Sequence, residues 1–563
     1  MDIGETSNND TILYLHSISP AGRLLPSASR WNSIEMDFNL FPQSRNNLGY
    51  NSLPSRFSKS VDFKLTVTNK KNFKRFIYAS LAVVSLIVVL CLLLHFLPNK
   101  QRHHGATKDL TLALKQALVF FDAQKSGVLP KDNTVKFRGD SGLDDGNKSL
   151  VGGFYDSGNN IKFSFPTAYT ITLLSWSVIE YHPKYEEIGE LDHIKSIIKW
   201  GSDYLLKLFI RPNESSPGSA TLFSQVGSVG KNKTSTENDD KCWQRPEDMR
   251  YTRPVSSCDE TASDLAGEII AALSAASLVF KDDKMYSTNL TKTAMELFDI
   301  VTKDEPGFVQ GMYTTKDECG GQAREFYNST GYKDELVWGG TWLFFATGNT
   351  SYLRYTTENL VLAEEEEEEL SVDKGIFYWN NKFTANTVLL TRLRYFLDLG
   401  YPYEESFLSS TNNVDSLMCS YLSPTMHKTQ GICVNYILGD NPMKMSYVVG
   451  FSNNYPQHVH HRGASIPWDN QWHSCAEGGT WLNSEKPNPN QLLGAMVRGP
   501  DQYDMFLDER DKPWFTEPSI SSNAGLVAAL VALHDPPHSP SSLNGAGSLG
   551  IDSYGIFHNI HLN

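Results

Sequence analysis

Gly152-Gly153-Phe154-Tyr155-Asp156-Ser157-Gly158-Asn159 opens a stretch that runs on as NIKFSFPTAYTITLLSWSVIE to Glu180. A loop rich in glycine and aromatic residues delivers Asp156 and Asn159, and a helical pattern takes over from Ala168 to Tyr181. Asp156 can gain or lose a proton at neutral pH. The amide of Asn159, three residues on, cannot accept one.

The same succession of long loop and helix extends in both directions. Leu110, Leu112, Leu114, Ala117 and Phe120 predict a first helix, and Leu191, Ile194, Ile197, Ile198, Leu205 and Leu208 trace a 3.6-residue period in a later one. Helices are also expected over Ala262–Phe280, Met285–Val301, Glu335–Ala346, Ala385–Leu397, Val434–Leu438 and Asn523–His534. No strand–helix alternation and no glycine-rich phosphate loop is present, so the reading is all-α. The glutamate run Glu364–Glu369 reads as a solvated loop rather than a calcium site, because adjacent like charges repel in a helix.

Charge divides the chain. The 563 residues carry a formal net charge of −14, which argues against a nucleic-acid partner. Residues 1–75 hold ten Lys/Arg against six Asp/Glu, whereas residues 98–563 hold forty against fifty-eight. Between them Phe76–Leu97 carries no charge, and a helix needs roughly 20 such residues to cross a bilayer. Lys70, Lys71, Lys74 and Arg75 at its N-terminal end place residues 1–75 in the cytosol and the remainder in the lumen or outside. The Asn-x-Ser/Thr sites Asn147, Asn213, Asn232, Asn289, Asn328 and Asn349 all follow the span. Six of the seven cysteines follow it too, in a compartment that permits disulfides; fifteen pairings are open. The expected organisation is a disordered tail (1–75) carrying Leu24-Leu25 and Tyr50-Asn51-Ser52-Leu53 as trafficking-like patterns, a transmembrane helix (76–97), a tether (98–108), a folded domain (109–535) and a weakly ordered C-terminal tail (536–563).

Further motifs stand apart from the opening one: Cys242-Trp243-Gln244-Arg245-Pro246-Glu247-Asp248-Met249, Tyr436-Ile437-Leu438-Gly439-Asp440-Asn441-Pro442, Met445 to Gly450, His458-Val459-His460-His461-Arg462, and Phe506 to Ala524. Together, from about Asp109 to His534, they resemble glycoside hydrolase family 9, and within it the membrane-anchored plant endo-β-1,4-glucanases of the Korrigan type. The resemblance implies an (α/α)6 barrel with a substrate cleft across its loop face and no cofactor. The implied substrate is β-1,4-glucan, and cellulose-synthesising machinery is an implied partner. Inverting hydrolysis needs an acid on the glycosidic oxygen and a base on the attacking water, with carboxyls roughly 6.5–9.5 Å apart. By resemblance Glu517 is the general acid, Asp508 orients the cleft, His460 and Arg462 bond sugar hydroxyls, and Asp156 holds the water. Asn159 falls where the family carries its catalytic base. Trp243 and Trp338 are candidates either for stacking on glucose rings or for the barrel core. His458, His460 and His461 lack the further ligands a zinc site needs, so no metal is expected.

The chain departs from the family pattern elsewhere. Trp379-Asn380-Asn381-Lys382 stands for Trp-Asp-Asn-Lys, and Pro513 replaces an aromatic residue before Glu517. Cys419-Ser420-Tyr421-Leu422 also runs almost directly into Gly431-Ile432-Cys433. Relatives place one or two helices in that interval, so a barrel short of them is expected. Two functions follow: an endo-β-1,4-glucanase weakened by Asn159, or a glucan-binding protein that no longer cleaves.

Overall fold

In the computed structural model, residues 108–212, 220–228, 238–370, 375–397, 399–421 and 432–534 are described, with isolated positions at 70, 71, 74, 75, 78, 79, 81, 556 and 560. Apart from Tyr78, Ala79 and Leu81, the Phe76–Leu97 span lies outside them, as do the trafficking-like patterns and nearly all of the C-terminal tail. Among the described residues no helix is long and apolar enough to cross a membrane.

The unit from His103 onward is built from helices in two layers. Helix α1 (Leu110–Gln124) starts where the Asp109 carboxylate accepts the N–H of Leu112, a side-chain N-cap. It is followed by α2 (Ser164–Ile188), α3 (Leu191–Leu205), α4 (Ser263–Val279), α5 (Lys284–Val301), α6 (Lys333–Thr347), α7 (Thr350–Leu370), α8 (Phe383–Phe396), α9 (Glu404–Tyr421), the short α10 (Ile432–Ile437) and α11 (Ile520–Leu533). Side by side, α11, α2, α4, α6 and α8 form an inner series, and α1, α3, α5, α7 and α9 pack outside it. This is the barrel-like arrangement of paired helices that the resemblance implies. Every residue of α4 is buried, whereas α3 buries only the face of Ile194, Ile197, Ile198 and Leu205. An apolar surface all round marks an inner helix and a single stripe an outer one.

A small antiparallel sheet was not anticipated. Its strands are β1 (Lys162–Phe163), β2 (Phe209–Ile210), β3 (Thr221–Val226) and β4 (Val255–Cys258), with β3 pairing to each of the others. Disulfides join Cys258 to Cys319 beside this sheet and Cys242 to Cys475.

The glutamate run is a correction: Glu364–Glu369 is the last part of helix α7, not a loop. Tertiary partners explain why repulsion does not unwind it. The Glu366 carboxylate accepts the N–H groups of Tyr332 and Lys333 at 3.0 and 2.8 Å, where α6 begins and its first donors have no partner within the helix. Glu367 accepts from the N–H of Gly375 and the side-chain amide of Asn381. The charges cap neighbouring backbone.

Between α9 and α11 every described helix has six residues or fewer. Near the end of α8 the rings of Tyr395 and Phe396 are 67% and 65% exposed. Arg392 of α8 is nonetheless ion-paired with Glu180 of α2, which also accepts the indole N–H of Trp176 at 2.9 Å.

One buried ion cluster fastens the inner helices. The Lys382 ammonium, fully buried, lies 2.7 Å from Glu268 of α4 and 3.4 Å from Glu335 of α6, over the rings of Phe165 and Tyr169 of α2. Burial pushes Glu268 up to about 7, against the opposing pull of Lys382, and holds Glu335 well above the ordinary carboxylate range. Removing one partner of such a group strands uncompensated charge. Lys382→Met should therefore lower the unfolding free energy by about 3–5 kcal/mol in urea titration; an unchanged midpoint would show that the cluster is not holding these helices.

Candidate active site

The opening motif folds as a tight turn laid over the end of α1. Gly153 has φ +75°, and a β-carbon there would lie 2.6 Å from the ring of Tyr204, so only glycine fits. The Gln124 side chain at the end of α1 donates to the carbonyls of Tyr155 and Ser157, and the backbone N–H of Asp156 donates to Ile161. Asn159 stabilises the turn itself, because its Oδ1 accepts the N–H of Ile161 at 3.0 Å. No described residue accepts from its Nδ2.

Gly158 is where the turn meets the rest of the site. A β-carbon at that position would sit 1.8 Å from the carbonyl oxygen of His460. The Gly158 carbonyl accepts from both the backbone N–H of Arg462 (3.1 Å) and its guanidinium (3.2 Å). Arg462 is 3% exposed and also donates to the carbonyls of Cys242 and Asp240. Three of its five N–H donors are taken up by backbone carbonyls, so it holds the loop in place.

Glu517 closes the site from the other end of the chain. Its Oε1 accepts the Ser157 hydroxyl at 3.0 Å and the Gly158 N–H at 3.2 Å, and its Oε2 lies 3.7 Å from the half-exposed guanidinium of Arg498. The carboxylate is 8% exposed, where solvent screens little.

Asp156 lies beneath, 2% exposed. Its Oδ2 accepts the hydroxyl of Tyr327 at 2.7 Å, and its Oδ1 receives no hydrogen bond from any described residue. Burial pushes its carboxyl up to about 7; the Tyr327 bond opposes that rise, and the charge of Glu517 adds to it. Such a carboxyl is partly ionised at neutral pH. The mutual influence brings Asp156 and Glu517, 361 positions apart in sequence, into one site.

His460 faces the same centre. Burial lowers its pKa although Glu517 pulls the other way, so the ring is neutral. Its Nδ1 is 2.6 Å from the carbonyl of Arg510 and must donate there, which leaves Nε2 as an acceptor. The other histidines have separate partners: His458 contacts Asp508 and the Glu485 carbonyl, and His461 contacts Gln124 and the Ala464 N–H. Asp508 accepts the backbone N–H groups of Gln457 and His458, so it shapes the loop leading to His460.

Two aromatic candidates resolve as core. Trp338 is fully buried in α6 among Trp176, Trp342 and Phe377. Trp243 is 4% exposed, edge-on to His460 at 4.7 Å, with its indole N–H on Ser465. Neither offers a face to a glucose ring. Tyr327, Ser157 and Arg498 were not singled out from sequence; their contacts with Asp156 and Glu517 arise only in three dimensions. Of the sequons, Asn147, Asn289 and Asn328 are exposed and Asn349 is half-buried, while Asn213 and Asn232 lie outside the described residues.

The sequence profile "Glycosyl hydrolase family 9" matches residues 111–434 and 426–530. The chain belongs to this family. The two matched stretches meet at the interval where helices were expected to be missing. Endoglucanase 10 of Oryza sativa subsp. japonica is 42% identical over 541 residues, covering 84% of this chain and 85% of that one. Endoglucanase 25 of Arabidopsis thaliana is 41% identical over 543 residues, with the same coverage. Among solved structures, the endoglucanase of the termite Nasutitermes takasagoensis superposes with a TM-score of 0.63 at 32% identity, over 76% of this chain and 99% of that one. The cellulase Cel9M in complex with cellobiose gives a TM-score of 0.60 at 28% identity, over 76% and 98%.

Gly158→Ala should break the site without opening the core, since the new methyl group can escape the His460 carbonyl only if the turn moves. Loss of cello-oligosaccharide binding with a melting temperature within a few degrees of the parent is the expected outcome, read by titration and calorimetry. Undiminished binding would show that the turn is free to shift.

Proposed function

We propose that this chain is a membrane-anchored endo-β-1,4-glucanase in which Glu517 is the general acid and Asp156, rather than residue 159, is the general base. It hydrolyses internal bonds of a cellulose-like glucan with inversion. The observation that carries this reading is the Asp156 carboxyl: buried, raised to about 7, and hydrogen-bonded at Oδ2 alone. A base with a pKa near the working pH combines a sizeable ionised fraction with real proton affinity.

Glu517 keeps Oε1 fixed on Ser157 and Gly158, which leaves Oε2 to exchange a proton with the glycosidic oxygen. As the bond to the leaving sugar breaks, water attacks the anomeric carbon from the opposite face. The unpaired Oδ1 of Asp156 takes the water's proton, and the Nδ2 of Asn159 donates to the water or to a sugar hydroxyl. His460 Nε2 accepts from a hydroxyl near the cleaved bond. The neutral amide at 159 adds no further negative charge beside Asp156, whose ionisation is opposed by Glu517 but not by a carboxylate at 159 as well.

Anchoring through Phe76–Leu97, with the catalytic domain lumenal or extracellular, is supported by the flanking charge, the exposed sequons and the two disulfides. Among the described residues no helix longer than six residues stands between α9 and α11, which supports a barrel short of an inner helix. Cellulose-synthesising machinery is the partner this placement suggests.

Reducing ends released from carboxymethylcellulose by the full chain, as a function of pH, test the proposal. The base acts deprotonated, so kcat/KM should rise as pH climbs through about 7. A Glu517→Gln variant should release almost none. Equal release by parent and variant would overturn the reading, and glucan binding without cleavage would point to a non-catalytic binding protein.

A further inference from the structure

With Trp243 and Trp338 in the core, the indoles most open to solvent among the described residues are Trp514, 56% exposed, and the pair Trp468 and Trp472, 40% and 48% exposed. The pair lies on the segment that follows the short helix Arg462–Ser465, and both rings are immobilised. The indole N–H of Trp472 donates to the Asp248 carbonyl at 2.9 Å, and the Arg250 guanidinium covers its ring at 4.4 Å. The guanidinium of Arg245 sits 5.3 Å from the centre of the Trp468 ring, and Trp468 is seated where a β-carbon on Gly139 would strike it at 3.0 Å.

The support beneath the two rings is rigid. Arg245, 3% exposed, pairs with Asp248 through two bonds of 2.6 and 3.0 Å and donates to the carbonyls of Pro467 and Gln471. Gln244 donates to the His473 carbonyl, and the Cys242–Cys475 disulfide closes the far side. Half-exposed aromatic rings held this firmly lose little freedom on contact with a ligand, which favours their use for binding.

The support is continuous with the catalytic centre. Trp243, between Cys242 and Gln244, meets the His460 ring, and the His460 N–H donates to the carbonyl of Thr516, next to Glu517. Arg250, which covers the Trp472 ring, also lines a recess of about 690 Å3 with Asp144, Asn147 and Tyr251.

We infer that Trp468 and Trp472 form an aromatic platform that holds a β-1,4-glucan chain beyond the sugars contacting Glu517, at the His460 end of the cleft. The occupant is chosen by chemistry: the C–H faces of β-linked glucose stack on indole, and their equatorial hydroxyls suit the neighbouring Arg250. This rests on the glucanase reading for its ligand class but not on turnover. It makes chain length a determinant of affinity, since a short oligosaccharide fills the centre without reaching the platform.

The test uses the full chain, solubilised in detergent and carrying Glu517→Gln to prevent cleavage, titrated with cellotriose and cellohexaose by calorimetry. Replacing Trp468 and Trp472 together by alanine should weaken cellohexaose about tenfold and leave cellotriose unchanged, whereas tyrosine at both positions should recover most of the loss. Cellohexaose affinity unaffected by the alanines would overturn the platform, and so would an equal loss for both ligands, which would mark the indoles as structural. If the Glu517→Gln chain with both tryptophans bound neither oligosaccharide, the glucan reading itself would fall and the platform with it.

Discussion

The contact between Gly158 and the backbone of His460 is the constraint on which the site depends. Two segments some three hundred residues apart approach so closely that no side chain fits between them. Arg462, buried and bonded to three carbonyls, locks the approach from one side. Glu517, accepting from Ser157 and Gly158, locks it from the other. A single glycine thus sets the positions of the acid, the imidazole and the turn bearing Asp156.

That geometry gives Asp156 its unusual environment. Buried beneath the turn, with Tyr327 on one oxygen and Glu517 close by, it is held near neutrality in pKa rather than in the ordinary carboxylate range. An ionised carboxylate at 159 would put a third negative charge beside Asp156 and Glu517 and raise the electrostatic penalty of ionising Asp156. The amide avoids it while keeping the bond from Ile161 that shapes the turn. The amide at 159 therefore preserves the scaffold, and under the proposed mechanism the proton-accepting role falls to Asp156.

Much of the fold was legible because burial leaves a period in the sequence. The stripe of α3 and the apolar runs of α2, α4 and α11 declared themselves. Helices α7 and α9 did not: α7 carries the glutamate run, whose charges looked destabilising until Glu366 and Glu367 were seen capping backbone from other elements. The site was legible to the extent that motifs name residues: Asp156, Glu517 and His460 do converge. Motifs could not show that Trp243 is buried against His460, nor that Tyr327 would bond Asp156. Exposure and donor satisfaction are properties of the packed chain, and indoles at 243 and 468 look alike in one dimension.

The central claim is that Asp156 accepts the proton because residue 159 cannot. Its most direct measurement is the kcat lost on Asp156→Asn, taken once in the native chain and once in a chain carrying Asn159→Asp. The account predicts a loss within the roughly 10²–10⁴-fold range of general-base assistance in the native chain, and a much smaller one where the carboxylate at 159 takes over. Equal losses in the two backgrounds would contradict it, because Asp156 would then serve the site in a way that does not depend on what stands at 159.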